Sequence, residues 1–204
     1  MPLRWTVIIP IKALPQAKSR LVDATSDARR HAALVRAIRT DTITAASDAE
    51  LVARVLVVAD EPGVDGQPVL VQSRPGLNPA LDEAARYATA QWPADGVAAL
   101  VGDLPSLTPA ELDEALAVAA RYPRSFVPDA GATGTTLLTA RPGTPLDPRF
   151  GAGSATRHAS SAAILAAGDG LRTDVDTAED LRRAEHLGLG PRTRAERSRQ
   201  PSSC

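Results

Sequence analysis

Aromatic residues are scarce in this 204-residue chain: phenylalanine, tryptophan and tyrosine together make up 3% of it. So thin a supply offers no platform on which single-stranded nucleic acid could stack. The one cysteine, Cys204, can form neither an intrachain disulfide nor a cysteine metal cluster. An excess of one charge is also missing. The formal net charge is −1, so neither nucleic acid nor a membrane surface meets a general basic field. No apolar run approaches the about 18 residues of a membrane span. Arg4, Pro10 and Lys12 do not make the opening of a signal peptide. These absences lead us to expect a soluble cytoplasmic protein without nucleic-acid or membrane partners.

What is present is an alternation of β-branched runs and alanine- and leucine-rich helical periods. It predicts strands over 5–11, 55–59 and 69–72, with short ones near 126–128, before 139 and ending near 172–176. Helices are expected from about 27 to 46, from Pro79 to about Trp92, after Thr108, from the glycines near 151 through 165, and from Thr177 to about Leu187. Leu34, Val35, Ile38, Thr42 and Ala45 form one inward stripe, and Leu181, Ala184 and Leu187 another. Alternating strands and helices give an α/β class, a three-layer α/β/α sandwich with a mostly parallel, Rossmann-like sheet. The length suits one domain over residues 1–190, with 191–204 a disordered tail of Arg, Ser, Gln and Pro.

The organising stretch is residues 97–109. An apolar run, as of a buried central strand, ends at Gly102 and Asp103 follows. Open α/β sheets bind ligands just beyond such carboxyl ends. Thr108, Pro109 and Glu111 then start a helix as cap, first position and capping-box partner. Asp103 is a candidate metal ligand there, although the same sequence also suits a turn cap. After the first strand, Pro10 leads into a loop bearing Lys12, Lys18 and Arg20. These cations can gather around polyphosphate or can be a solvated basic loop.

Gly76 permits close backbone approach, and Asn78 suits either a base edge or a helix N-cap before Pro79. Gly151, Gly153 and Ser154 open a helix as a candidate anion site, with Arg157 and His158 adding charge or donors; a flexible loop is the other reading. Asp60 is read as a turn cap. Asp174 and Asp176 alternate, so only one can share a site with Asp103, and Asp176 lies closer to the strand end. A solvated acidic turn is the other reading of this segment.

The motifs Pro10-x-Lys12, Ala17-Lys18-Ser19-Arg20-Leu21, Gly76-Leu77-Asn78, Gly102-Asp103-Leu104-Pro105, Gly134-Thr135-Thr136 and Phe150-Gly151-x-Gly153-Ser154, in this order, resemble the 2-phospho-L-lactate and phosphoenolpyruvate guanylyltransferases of coenzyme F-420 biosynthesis. These are relatives of the molybdenum-cofactor guanylyltransferase-like nucleotidyltransferases, from whose glycine-rich first loop this chain departs. The resemblance covers about residues 5 to 188. It implies a sheet of the nucleotide-diphospho-sugar transferase type and transfer of GMP from GTP to a phospho-acid. The high alanine and arginine content favours phosphoenolpyruvate by association.

In that reading, Mg²⁺ sits on Asp103 and Asp176. Pro10, Lys12, Lys18, Gly76 and Asn78 take the nucleotide, with Lys12, Lys18 and Arg20 stabilising the departing pyrophosphate. Thr136, Gly151 and Ser154 take the acceptor. A homodimer is compatible with it. Other readings are the same reaction on 2-phospho-L-lactate or 3-phosphoglycerate, a molybdenum-cofactor-type transferase, or a non-catalytic nucleotide sensor.

Overall fold

A computed structural model describes residues 2–11, 28–60 and 69–199. Its seven strands are β1 (Trp5–Pro10), β2 (Val52–Ala59), β3 (Val69–Val71), β4 (Gly96–Leu100), β5 (Arg124–Pro128), β6 (Thr135–Ala140) and β7 (Ala163–Ile164). They form one sheet in the order β3-β2-β1-β4-β6-β5-β7. β1 pairs in parallel with both β2 and β4, whereas β6 runs antiparallel to β4 and β5. The helices are α1 (Ala28–Asp48), α2 (Leu77–Gln91), α3 (Pro109–Ala119), α4 (Ser154–Ala159), α5 (Asp169–Arg172), α6 (Ala178–Leu187) and α7 (Pro191–Ser198).

Strand alternation sorts the core into two layers. Val7, Ile9, Ala98 and Leu100 pack with α1 residues Ile43 and Ala46 and with Leu112, Leu116 and Ala119 of α3. Ile8, Val97 and Ala99 face the other way, onto Ala80, Leu81, Ala84 and Ala88 of α2 and Ala155 of α4. The fold is therefore the expected three-layer α/β sandwich. Gly96 is required by this packing, because a Cβ there would collide with the Trp5 ring.

The topology reverses between β1 and β4: the chain builds outward from β1 to β3, then crosses back to β4. That switch point is where an open sheet leaves a crevice beyond its carboxyl ends. Antiparallel β6 starts where β4 ends, with Leu137 opposite Leu100, so Thr135 and Thr136 stand on the same edge as Asp103.

Four expectations are corrected. The helix opened near residue 151 stops at Ala159. Ser160 and Ser161 turn onto the carbonyls of Arg157 and His158, and such local bonds compete with helix continuation. Ala163–Ile164 then becomes an edge strand on β5. Residues 173–177 are not a strand; Val175 is buried among Leu34, Val35, Ile38 and Leu181 instead. Leu187, expected inward, is 42% exposed.

The expected disordered tail holds a helix, α7. Asp41 on α1, itself 6% exposed, accepts the amides of Arg192 and Thr193 at 3.2 and 2.7 Å. It so satisfies the helix's first N–H groups. This helix is docked by a carboxylate rather than by an apolar stripe, so hydrophobic periodicity cannot reveal it.

Candidate functional site

A cavity of about 600 Å³ opens at the switch point. Its described lining comes from neighbouring strand ends: Pro10 at the end of β1 and Ile11 after it, Asp60 after β2, Gln72 after β3, and Val101, Gly102 and Asp103 after β4. Gly76, Leu77 and Ala80 close one side, and Val35, Ile38, Arg39 and Asp176 the other.

Asp103 is held between two rigid parts. Ahead of it, Gly102 lies against the end of β1: a Cβ there would stand 3.2 Å from Ile9 Cγ2 and 3.4 Å from the Pro10 carbonyl. The close backbone approach at Gly102 is thus to β1. Behind it, the capping box of Thr108 and Glu111 fixes the start of α3. The Asp103 carbonyl accepts the Val175 amide at 3.0 Å. That bond brings the loop carrying Asp176 to the end of β4, and Thr177 and Asp180 cap α6 directly after it. Two carboxylates distant in sequence therefore line one cavity.

The donor set suits a hard cation. Asp103 and Asp176 offer oxygen only, and no histidine or cysteine lines the cavity among the described residues. Among those residues no group of three or more metal-ligating side chains gathers anywhere. Mg²⁺ needs no more than one or two carboxylates when substrate phosphates and waters complete its shell.

Lys12, Lys18 and Arg20 lie outside the described residues. Pro10 lines the cavity. Gly76 does too, and at φ 108° it is the N-cap of α2, a conformation side chains rarely adopt. The helix thus begins earlier than Asn78, which is not its cap. The Asn78 amide is spent elsewhere. Oδ1 accepts the Phe150 amide at 2.7 Å, and Nδ2 donates to the Phe150 carbonyl at 3.1 Å.

The residues expected to take an acceptor by hydroxyl do not present hydroxyls. Thr136 is fully buried and donates to the Val127 carbonyl at 3.4 Å. Its own carbonyl accepts from Val101 at the cavity edge. Ser154 is 1% exposed and donates to Thr135 Oγ1 at 3.1 Å. Gly151 is exposed at φ 116°. Arg157 holds the carbonyls of Arg149 and Ala152.

His158 adds no charge. Burial, then the nearby Arg157 and Arg149, push its pKa down to about 4.

Arg39 and Asp60 were not anticipated in the site. Arg39 is 7% exposed and brings a positive charge to the cavity wall. Its signal is positional: Val35, Arg39 and Thr42 fall four and three residues apart, so Arg39 shares the inward face of α1. Asp60 stands beyond the carboxyl end of a parallel strand, the same signal that singled out Asp103.

Solved structures share the architecture. A nucleotide-diphospho-sugar transferase structure from Desulfovibrio desulfuricans G20 superposes with TM-score 0.69 at 17% identity, covering 88% of this chain and 85% of that one. A 4-diphosphocytidyl-2C-methyl-D-erythritol synthase gives 0.58 at 13% identity, over 91% and 99%. At such identities the likeness concerns the fold alone.

Sequence relatives are nearer. A phosphoenolpyruvate guanylyltransferase of Salinispora arenicola is 48% identical, covering 93% of this chain and 91% of the relative. One of Thermomonospora curvata is 44% identical, over 98% and 91%. The family described as "Guanylyl transferase CofC like" matches residues 5–185. The switch-point cavity is therefore that of a nucleotidyltransferase fold, and the chain belongs to the CofC-like guanylyl transferase family.

Proposed function

We propose that the protein transfers GMP from GTP to the phosphate of phosphoenolpyruvate, giving enolpyruvyl-diphospho-guanosine and pyrophosphate, in coenzyme F-420 biosynthesis. We place it among the molybdenum-cofactor guanylyltransferase-like enzymes and in the cytoplasm. The observation that carries the reading is the pair Asp103 and Asp176, brought to one cavity by the Val175–Asp103 hydrogen bond.

The acceptor phosphate attacks the α-phosphorus of GTP. A new P–O bond forms, the bond from the α-phosphorus to the bridging oxygen breaks, and pyrophosphate leaves with the electron pair. The acceptor is largely dianionic at neutral pH, because its second pKa is about 6. No protein base is needed, and neutral, buried His158 does not supply one.

The difficulty is that an anion must approach an anion. Asp103 and Asp176 would hold Mg²⁺, which supplies charge neutralisation between the two phosphates. Lys12, Lys18 and Arg20 would hold the triphosphate and stabilise the leaving pyrophosphate. Arg39 adds positive charge to the same wall. Pro10 and Gly76 bring backbone close to the nucleotide. The acceptor approaches the exposed turn that contains Gly151 and meets main chain there, since the Thr136 and Ser154 hydroxyls are turned inward.

The test is pyrophosphate release over four nucleotides and three phospho-acids (phosphoenolpyruvate, 2-phospho-L-lactate, 3-phosphoglycerate), with and without Mg²⁺. Release with GTP and phosphoenolpyruvate, abolished by a chelator, is expected. Preference for another acceptor overturns the substrate assignment. GTP binding without any release overturns the enzyme reading.

A further inference from the structure

We propose that His158 and Asn78 are positioning residues that hold the turn over residues 150–153 in one conformation, and that this hold sets the affinity for the phospho-acid. The part played by the turn rests on the function proposed above.

Two consecutive residues entering the turn are gripped from two different helices. The Arg149 amide donates to His158 Nε2 of α4 at 3.0 Å. The Phe150 amide and carbonyl are both taken by Asn78 of α2, at 2.7 and 3.1 Å. Immediately beyond, the backbone enters the left-handed region at Gly151 (φ 116°) and Gly153 (φ 71°). Residues 151–153 are exposed; Arg157 holds the Ala152 carbonyl and the Ser154 amide donates to the Gly151 carbonyl at 3.0 Å, so the turn is closed at its far end by α4 and at its entry by His158 and Asn78.

The histidine is set up for this grip. A backbone amide can only donate, so Nε2 must be the unprotonated nitrogen and Nδ1 carries the proton. Nδ1 then donates to Thr135 Oγ1 at 2.9 Å, which also accepts from Ser154. The ring is 1% exposed and packs on Phe126 and Phe150, with centroids 5.7 and 5.2 Å away. One side chain so links the start of β6 to the entry of the turn. Asn78 follows Gly76 and Leu77, which line the cavity itself. The clamp therefore joins the start of β6 to the first turn of α2 through residues 149 and 150.

Two substitutions separate gripping from packing. In H158Q the amide oxygen reaches the Nε2 position and still accepts from Arg149. In H158N the shorter amide keeps the Thr135 bond and cannot reach Arg149. Both lose the ring, so a merely structural histidine would lose stability, and nothing else, about equally in the two.

We expect the KM for phosphoenolpyruvate to stay within about twofold of wild type in H158Q and to rise about tenfold or more in H158N. The KM for GTP and kcat should change little in either. N78A, which frees both Phe150 groups, should raise the same KM and also lower the melting temperature, because a buried amide and carbonyl lose their partners. Hydrogen exchange provides a readout independent of turnover: the Arg149 amide should lose protection in H158N and keep it in H158Q. Equal KM values in the two His158 variants, or an Arg149 amide still protected in H158N, overturn the proposal. A wild-type protein that releases no pyrophosphate overturns the function instead, and the exchange experiment still decides whether His158 holds the turn.

Discussion

On the side of the cleft formed by β1, β2 and β4, Asp60 and Asp103 stand at strand ends and line the cavity, with Asp176 and Arg39 beside them. On the adjoining β6 and α4, outside the cavity lining, Thr135, Thr136, Ser154 and His158 are all 5% exposed or less, and each is hydrogen-bonded to a protein neighbour. One side presents charge, and the other presents a neutral, satisfied scaffold that shapes main chain. Charge cancellation requires groups that reach the substrate. Recognition of a small acceptor by backbone requires groups that do not reach it but fix what does.

If this contrast is right, substitutions on the two sides fail differently. The largest effect is expected at the carboxylates. Asp103→Asn should lower kcat by at least about 10²-fold, roughly 2.7 kcal/mol of transition-state stabilisation, with little change in melting temperature. Near wild-type turnover would remove Asp103 from the chemistry.

Away from both sides, Asp41→Ala should cost about 1–3 kcal/mol, because two amides of α7 lose their acceptor. A drop of several degrees in thermal unfolding, with kcat unchanged, is the expected result. Unchanged melting would mean that α7 contributes nothing to the fold.

The scaffold side should show itself in pH dependence of stability. His158 titrates at about 4 in the folded protein against an ordinary value of 6.5. Between those values the unfolded chain binds the proton and the folded chain does not, so stability falls as pH drops from 6.5 to about 4. H158Q should flatten that part of the melting-temperature profile. The smallest effect is expected at Thr108→Ala, which removes the cap of α3 for about 1 kcal/mol; thermal unfolding reads it directly.

The same contrast explains what the sequence discloses. Buried parallel strands are continuous apolar runs, so β1, β2 and β4 were legible, and with them the strand-end position of Asp103. Thr108 and Thr177 were legible because a capping box is local in sequence. Asp41 and α7 were not, because a carboxylate capping a helix some 150 residues away leaves no periodic trace. Asn78 was misread for a related reason. Asn before Pro has the chemistry of an N-cap, yet Gly76 at positive φ starts the helix earlier and leaves the amide for Phe150, 72 residues on. The hydroxyls of Thr136 and Ser154 were placed in the acceptor site by resemblance, and only packing reveals that they point inward.

The most direct test of the central claim, that Asp103 and Asp176 serve one cation site, is a double-mutant cycle on kcat/KM for pyrophosphate release with D103N, D176N and the double variant. Groups that act as a unit are strongly non-additive. The expected result is a double variant no worse than the poorer single one. Losses that multiply would mean that the two carboxylates act independently, and the shared site would be contradicted.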